Sequence, residues 1–228
     1  MGNPRLLAAL TEEVTACRRC PRLVMWREQA SADRPKRYET DEYWAKPIPG
    51  FGDPDARMLI VGLAPAAHGG NRTGRVFTGD RSGDWLFAAL YRAGFANQPD
   101  SVHRDDGLRL RGAYIAAVNR CPPPGNKPTP SERDNCLPFL IREIELLDRV
   151  SVMVALGAFA WDGAIRALSA LGHPIPRPRP RFGHGAEVGI GPYTLLGCYH
   201  PSQQNTFTGV LTEEMLDGIF RRARSLSR

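Results

Sequence analysis

The chain has 228 residues, 42% of them hydrophobic and 24% charged, enough for one globular domain with a real core. No run of eighteen apolar residues excludes a membrane-spanning helix, and the N-terminal MGNPRLLAALTEEVTAC carries acidic residues and too short an apolar patch for a secretory leader; a cytoplasmic, nucleoid-associated protein is the expectation. A net charge of +6 suits a polyanionic partner, because each Lys or Arg near a phosphate releases condensed counterions.

Residues 4–16 carry apolar positions at helical spacing and end just before Cys17, whereas 27–56 are polar, rich in Pro, Gly and aromatics, and show no periodicity. MLIVGL (58–63) is a short apolar run closed by Gly62, the pattern of a buried strand. A glycine-rich loop follows, then a predicted helix over 84–95. AYIAAVN (113–119) predicts a second strand, and Ser131 is placed to cap a helix running to about Arg149. SVMVALG (151–157) predicts a third strand, 158–171 a helix, YTLLGCY (193–199) a fourth strand and 211–224 a closing helix. Alternating strands and helices predict an α/β fold: a single domain over 1–228 with a short, mostly parallel four-stranded sheet flanked by helices, residues 1–56 forming an N-terminal extension. Ligands of such sheets sit beyond the carboxyl ends of the strands, so the polar loops after strands one, two and four should meet at one cleft.

Cys17 and Cys20 form C-x2-C, and Cys121 and Cys136 bracket a proline-stiffened loop. Four thiolates can hold zinc or an iron–sulfur cluster, and spacing alone does not choose between them. Cys198 lies in an apolar strand and reads as a buried spectator. The loop after the first strand lacks both standard nucleotide fingerprints, and its Arg72 and Arg75, taken singly, read as solvated charges. Asn119 and His200 stand at strand ends, where both should face one pocket.

Three segments, G-L-A-P-A-A-H-G-G-N-R-T-G-R-x-F-T-G-D, V-N-R-C-P-P-P-G-N-K-P and H-P-S-Q-Q-N-T-F-T-G, resemble the motifs of the uracil-DNA glycosylase superfamily, most closely its iron–sulfur-bearing family 5. The resemblance runs from Cys17 to about residue 212 and implies a base-excision enzyme acting on DNA, with Cys17, Cys20, Cys121 and Cys136 holding a structural 4Fe–4S cluster. No lysine stands at a catalytic position of these motifs, so a monofunctional enzyme leaving an intact abasic site is expected, acting as a monomer. It implies that Phe77 stacks on a base extruded from the duplex, that Asn119 reads the pyrimidine edge, and that His200 contacts the oxygen on which charge grows. Gly62, Ala64, Ala66 and His68 then line the base pocket. Leu63 and Ala64 cannot activate water, which leaves Asp80 as the only carboxylate of the loop for that role, or as a helix cap. Ala66 stands where the narrowest relatives carry a Tyr that excludes the thymine methyl, which implies a roomier pocket open to hypoxanthine and ethenocytosine. Ser202, Gln203, Gln204 and Asn205, together with Arg72 and Arg75, are the expected DNA contacts; Phe207 can pack beneath the glutamines, and Arg177, Arg179, Arg181 and Lys127 can track the backbone. A metal-stabilised nucleic-acid-binding module without chemistry, or an electron-transfer protein, are the competing readings.

Overall fold

A computed structural model describes residues 3–227. The strands are β1 (Phe51–Gly52), β2 (Met58–Gly62), β3 (Ala113–Ala117), β4 (Val152–Leu156), β5 (Glu187–Ile190) and β6 (Tyr193–Cys198), in the order β1-β3-β2-β4-β6-β5. The four expected strands form the parallel centre, with Leu59 opposite both Tyr114 and Met153 and Val154 opposite Leu196. The sheet has six strands, not four: β1 and β5 add antiparallel edges. The first is two residues long, and the second, EVGI, is half-exposed and broken by Glu187 and Gly189, so neither produces an apolar run.

The helices are α1 (Pro4–Ala16), α2 (Pro21–Ala32), α3 (Gly70–Thr73), α4 (Arg81–Arg92), α5 (Pro130–Leu146), α6 (Ala158–Ala170), α7 (Gln203–Phe207) and α8 (Glu213–Leu226). Alternate residues of the central strands face opposite sides, as a pleat requires. Ile60, Ile115, Val154 and Leu196 pack with Leu86 and Phe87 of α4 and with Phe220 of α8. Leu59, Val61, Ala116 and Met153 pack with Leu140 and Ile144 of α5 and with Trp161 and Ile165 of α6. Of the described helices, none is long and apolar enough to cross a membrane.

α2 lies in a stretch with no readable periodicity. Its buried face is Leu23, Val24, Arg27 and Ala30, and the charge in the middle breaks the apolar stripe. α5 is capped by Thr129 and not by Ser131: the Thr129 hydroxyl accepts from the Glu132 amide at 3.2 Å, and the Glu132 carboxylate returns the bond to the Thr129 amide at 2.8 Å. Pro130 at the first helical position makes this register the favourable one.

Arg120, directly after Asn119, reaches under the sheet to Glu143 on α5, and both side chains are buried (1% and 2% exposed). Removing one partner of such a pair leaves an uncompensated buried charge. Glu143→Ala is therefore expected to destabilise the fold by about 3–5 kcal/mol, read as a lowered urea midpoint.

Candidate nucleic-acid cleft

Three loops leave the carboxyl ends of β2, β3 and β6 and enclose one cleft, as the strand pattern predicts. Its inner lobe is walled by Leu63, Ala64, Ala66, Phe77, His200, Ser202 and Gln204. Its outer lobe is walled by Trp26, Arg37, Tyr38, His68 and Pro123. Ala66, Asp80, Arg81, Asn126 and Gln203 line both.

Phe77 has φ +52°, a conformation that bulky L-residues rarely adopt. That backbone turns its ring over Gly62, where an added Cβ would stand 2.7 Å from the ring carbons. Gly62 therefore supports the ring from beneath and does not line the cleft. The ring centroid lies 5.8 Å from that of His200. Burial lowers the His200 pKa to about 4, so the imidazole is neutral at physiological pH. Asn205 donates to the His200 carbonyl at 2.9 Å and fixes the backbone there.

Asp80 is the N-cap of α4, its Oδ1 accepting from the Gly83 amide at 3.1 Å. Its carboxylate also rests against Gly69, where a Cβ would come within 2.0 Å of Oδ2. Burial pushes its pKa up against the opposing pull of the Gly83 and Ser82 amides. The cap and a position on the cleft wall coexist. His68 accepts or donates through Nδ1 to the Tyr43 hydroxyl at 2.9 Å, and burial followed by the charges of Arg37 and Arg72 lowers its pKa.

Further expectations about side-chain placement are corrected. Asn119 is fully buried and away from the cleft wall: Nδ2 donates to the Glu132 carbonyl at 3.0 Å, tying the exit of β3 to α5. Besides Gln203 and Gln204, the amide that lines the cleft is Asn126, held in a left-handed turn (φ +57°) by bonds from the Asn126 and Lys127 amides to the carbonyls of Pro123 and Pro124. The Gly-Asn pair between prolines was the available signal, since Asn tolerates that conformation. Arg75 is 3% exposed and faces no solvent; it is saturated by Asp106, Ser101, Thr78 and the Arg104 carbonyl. Burial would raise the Asp106 pKa, but Arg75 and three backbone amides outweigh it and hold the carboxyl well below its usual range. Arg72 is likewise engaged, by Asp41 at 2.7 Å and by the carbonyls of His68 and Gly79. Asn205, bonded to His200, is also committed within the protein. Gln203 and Gln204 remain exposed on α7, beside an exposed Phe207 whose ring carries Arg81 at 4.5 Å. Arg179 pairs with Asp162 on α6, and no residue of the 177–181 segment lines the cleft.

The four cysteines meet although Cys20 and Cys121 are far apart in sequence. Cys17 ends α1 and Cys20 begins α2, and with Cys121 and Cys136 they line one small cavity closed by Leu23, Val24 and Pro47. Three N–H groups point at sulfur: Arg27 Nη1 to Cys121 at 3.1 Å, the Arg120 amide to Cys136 at 3.2 Å, and Asn135 Nδ2 to Cys20 at 3.6 Å. Burial pushes the Cys121 and Cys136 thiols up to about 11 and about 12. Arg27 is 2% exposed and forms no ion pair within 4 Å among the described residues. Among the described residues no three His, Cys, Asp or Glu side chains are drawn together tightly enough to hold a single metal ion. Cys198 is fully buried in the core, as expected.

A model of the uracil DNA glycosylase superfamily matches residues 49–224. A type-5 uracil-DNA glycosylase of Mycobacterium tuberculosis is 53% identical over 99% of this chain and 84% of its own length. That of Thermus thermophilus is 47% identical over 96% and 97%. A type-4 uracil-DNA glycosylase of Thermotoga maritima is 37% identical over 68% and 69%. On this evidence the chain belongs to the uracil DNA glycosylase superfamily, with its type-5 members.

Proposed function

We propose that the chain is a monofunctional DNA glycosylase that hydrolyses the N-glycosidic bond of uracil, acting as a monomer in base-excision repair and leaving an abasic site. One observation carries this reading: a stacking ring, a neutral imidazole, a desolvated carboxylate and a side-chain amide face a single cleft at the sheet's carboxyl edge. An extruded base stacks on Phe77, and Asn126 reads its edge, since an amide both donates and accepts. As the glycosidic bond breaks, negative charge grows on a pyrimidine oxygen. His200 faces it as a neutral donor, stabilising the transition state more than the ground state. Asp80 uses the capping bond to fix its carboxylate and turns toward the attacking water, whose proton it accepts. Ala64 and Ala66 leave room on the inner wall for larger lesions, including hypoxanthine and ethenocytosine.

The enzyme reading is tested with duplexes carrying one uracil: strand breaks that appear only after hot alkali are expected. Asp80 must be ionised to accept a proton, so activity is present above its pKa and lost as the pH falls through it. Because that pKa is raised, the acid limb of kcat should lie above the usual carboxylate range near 4. Asp80→Asn is expected to lower kcat by about 10²–10⁴-fold and abolish that limb. Ala66→Tyr is expected to retain uracil excision and lose ethenocytosine excision; equal activity of mutant and parent on ethenocytosine sinks the roomy-pocket argument.

We further propose that Cys17, Cys20, Cys121 and Cys136 hold a 4Fe–4S cluster. When bound it supplies a cross-link and not an open coordination site, because all its ligands are cysteines. The support is electrostatic. Arg27 is a buried cation beside thiols that burial keeps neutral, an expensive arrangement unless an anion shares the cavity. Protein purified anaerobically should carry about four iron and four sulfide per chain, and Arg27→Met should lose its visible absorption several-fold faster in air. A single zinc ion instead would refute the cluster.

A further inference from the structure

The outer lobe extends the cleft beyond the space that Phe77 and His200 enclose, and one side of its wall comes from the N-terminal segment. Trp26 and Arg37 come from outside the residues matched by the superfamily model. We propose that this lobe is a subsite for a phosphodiester of a nucleotide flanking the extruded base, an inference that rests on the base-excision reading.

Donors dominate the wall. The Trp26 indole N–H is buried and has no hydrogen-bond partner. Arg37 forms no ion pair among the described residues and lies 4.8 Å over the Tyr38 ring. His68 commits Nδ1 to Tyr43; with the Tyr43 hydroxyl as donor, Nε2 carries the proton. Arg81 stands at the boundary with the inner lobe. Against these, Asp80 is the one carboxylate on the wall, and it is occupied at the start of α4. The lobe is therefore cationic and donor-rich, which fits a singly charged phosphodiester.

The wall is also rigid. Tyr38 carries Arg72 at 4.2 Å over its ring, and Arg72 is locked by Asp41 and by the carbonyls of His68 and Gly79. With two guanidinium groups over its ring, Tyr38 presents charge more than a bare stacking face, which argues for phosphate over a second base. The neighbouring lobe receives the extruded nucleotide's base, so the phosphates on either side of that nucleotide are the anions within reach.

The test uses the full chain and single-uracil oligonucleotides in which one flanking phosphate at a time is replaced by an uncharged methylphosphonate. For the parent, one position should raise KM about tenfold. Arg37→Ala should show a similarly raised KM on the unmodified strand and no further increase at that position. Its slope of log Kd against log salt should also be shallower by about 0.7–0.9. Trp26→Phe, which keeps an aromatic ring but removes the N–H and the rest of the indole's second ring, should raise KM less and in the same direction. Equal sensitivity of parent and Arg37→Ala at every position overturns the subsite while leaving the glycosylase intact. No excision by the parent on any substrate overturns the functional reading, and the subsite with it.

Discussion

The chemistry of the cleft depends on one strained backbone position. Phe77 is held in the left-handed region, at a cost of order 1–3 kcal/mol for such a residue, and only that conformation lays its ring over Gly62 beside His200. The compensation comes from the same loop. The Thr73 hydroxyl donates to carbonyls of the loop, Thr78 shares a 2.6 Å bond with Ser101, and Arg75 draws Thr78, Ser101 and Asp106 into one buried network. Every polar group there is within hydrogen-bonding reach of another, which is what makes a buried network rigid. Residues that look like ligand contacts in the sequence are thus the scaffold that lets a single aromatic ring hold its place.

A second dependency runs through α2. Within twelve residues it carries Arg22, which clamps Glu132 bidentately at 2.7 and 2.6 Å, Trp26 on the cleft wall, and Arg27 against Cys121. The Arg27 carbonyl also accepts from Asn71 in the loop that holds Phe77. Cavity and cleft are therefore tied together through one helix. The proposed cross-link from Cys17 and Cys20 to a loop roughly 100 residues away would remove much of the unfolded chain's freedom, close to Trp26 on the cleft wall. In this chain the N-terminal segment is part of the site.

What could be read from sequence follows from burial. The four central strands are covered on both faces, so they appear as unbroken apolar runs; the edge strands, covered on one side or barely formed, do not. Phe77, Asp80 and His200 belong to long motifs, and each lies on the cleft. Asn119 also sits at a strand end, yet its backbone amide still bonds to Leu63 across the sheet, and its side chain is drawn under α5. Direction at a strand end is set by what packs beneath it, and that information is non-local. Arg72 and Arg75 fail for a related reason: their partners Asp41 and Asp106 lie about thirty residues away in each direction, in segments without pattern.

Asp80 shows why helix cap and water-activating base are not rival assignments. A carboxylate has two oxygens, and the cap needs one. The amides at the start of α4 favour the anion, whereas desolvation disfavours it and prevails, leaving a carboxylate more basic than a solvated one. A base in water would be weaker, and a buried base without the cap would be free to rotate out of line. The helix terminus thus orients the group while burial tunes it, and both requirements are met by one residue placed at the junction of a buried loop and the first turn of α4. With Asp80 in the proposed water-activating role, Leu63 and Ala64, at the end of β2, need carry no carboxylate.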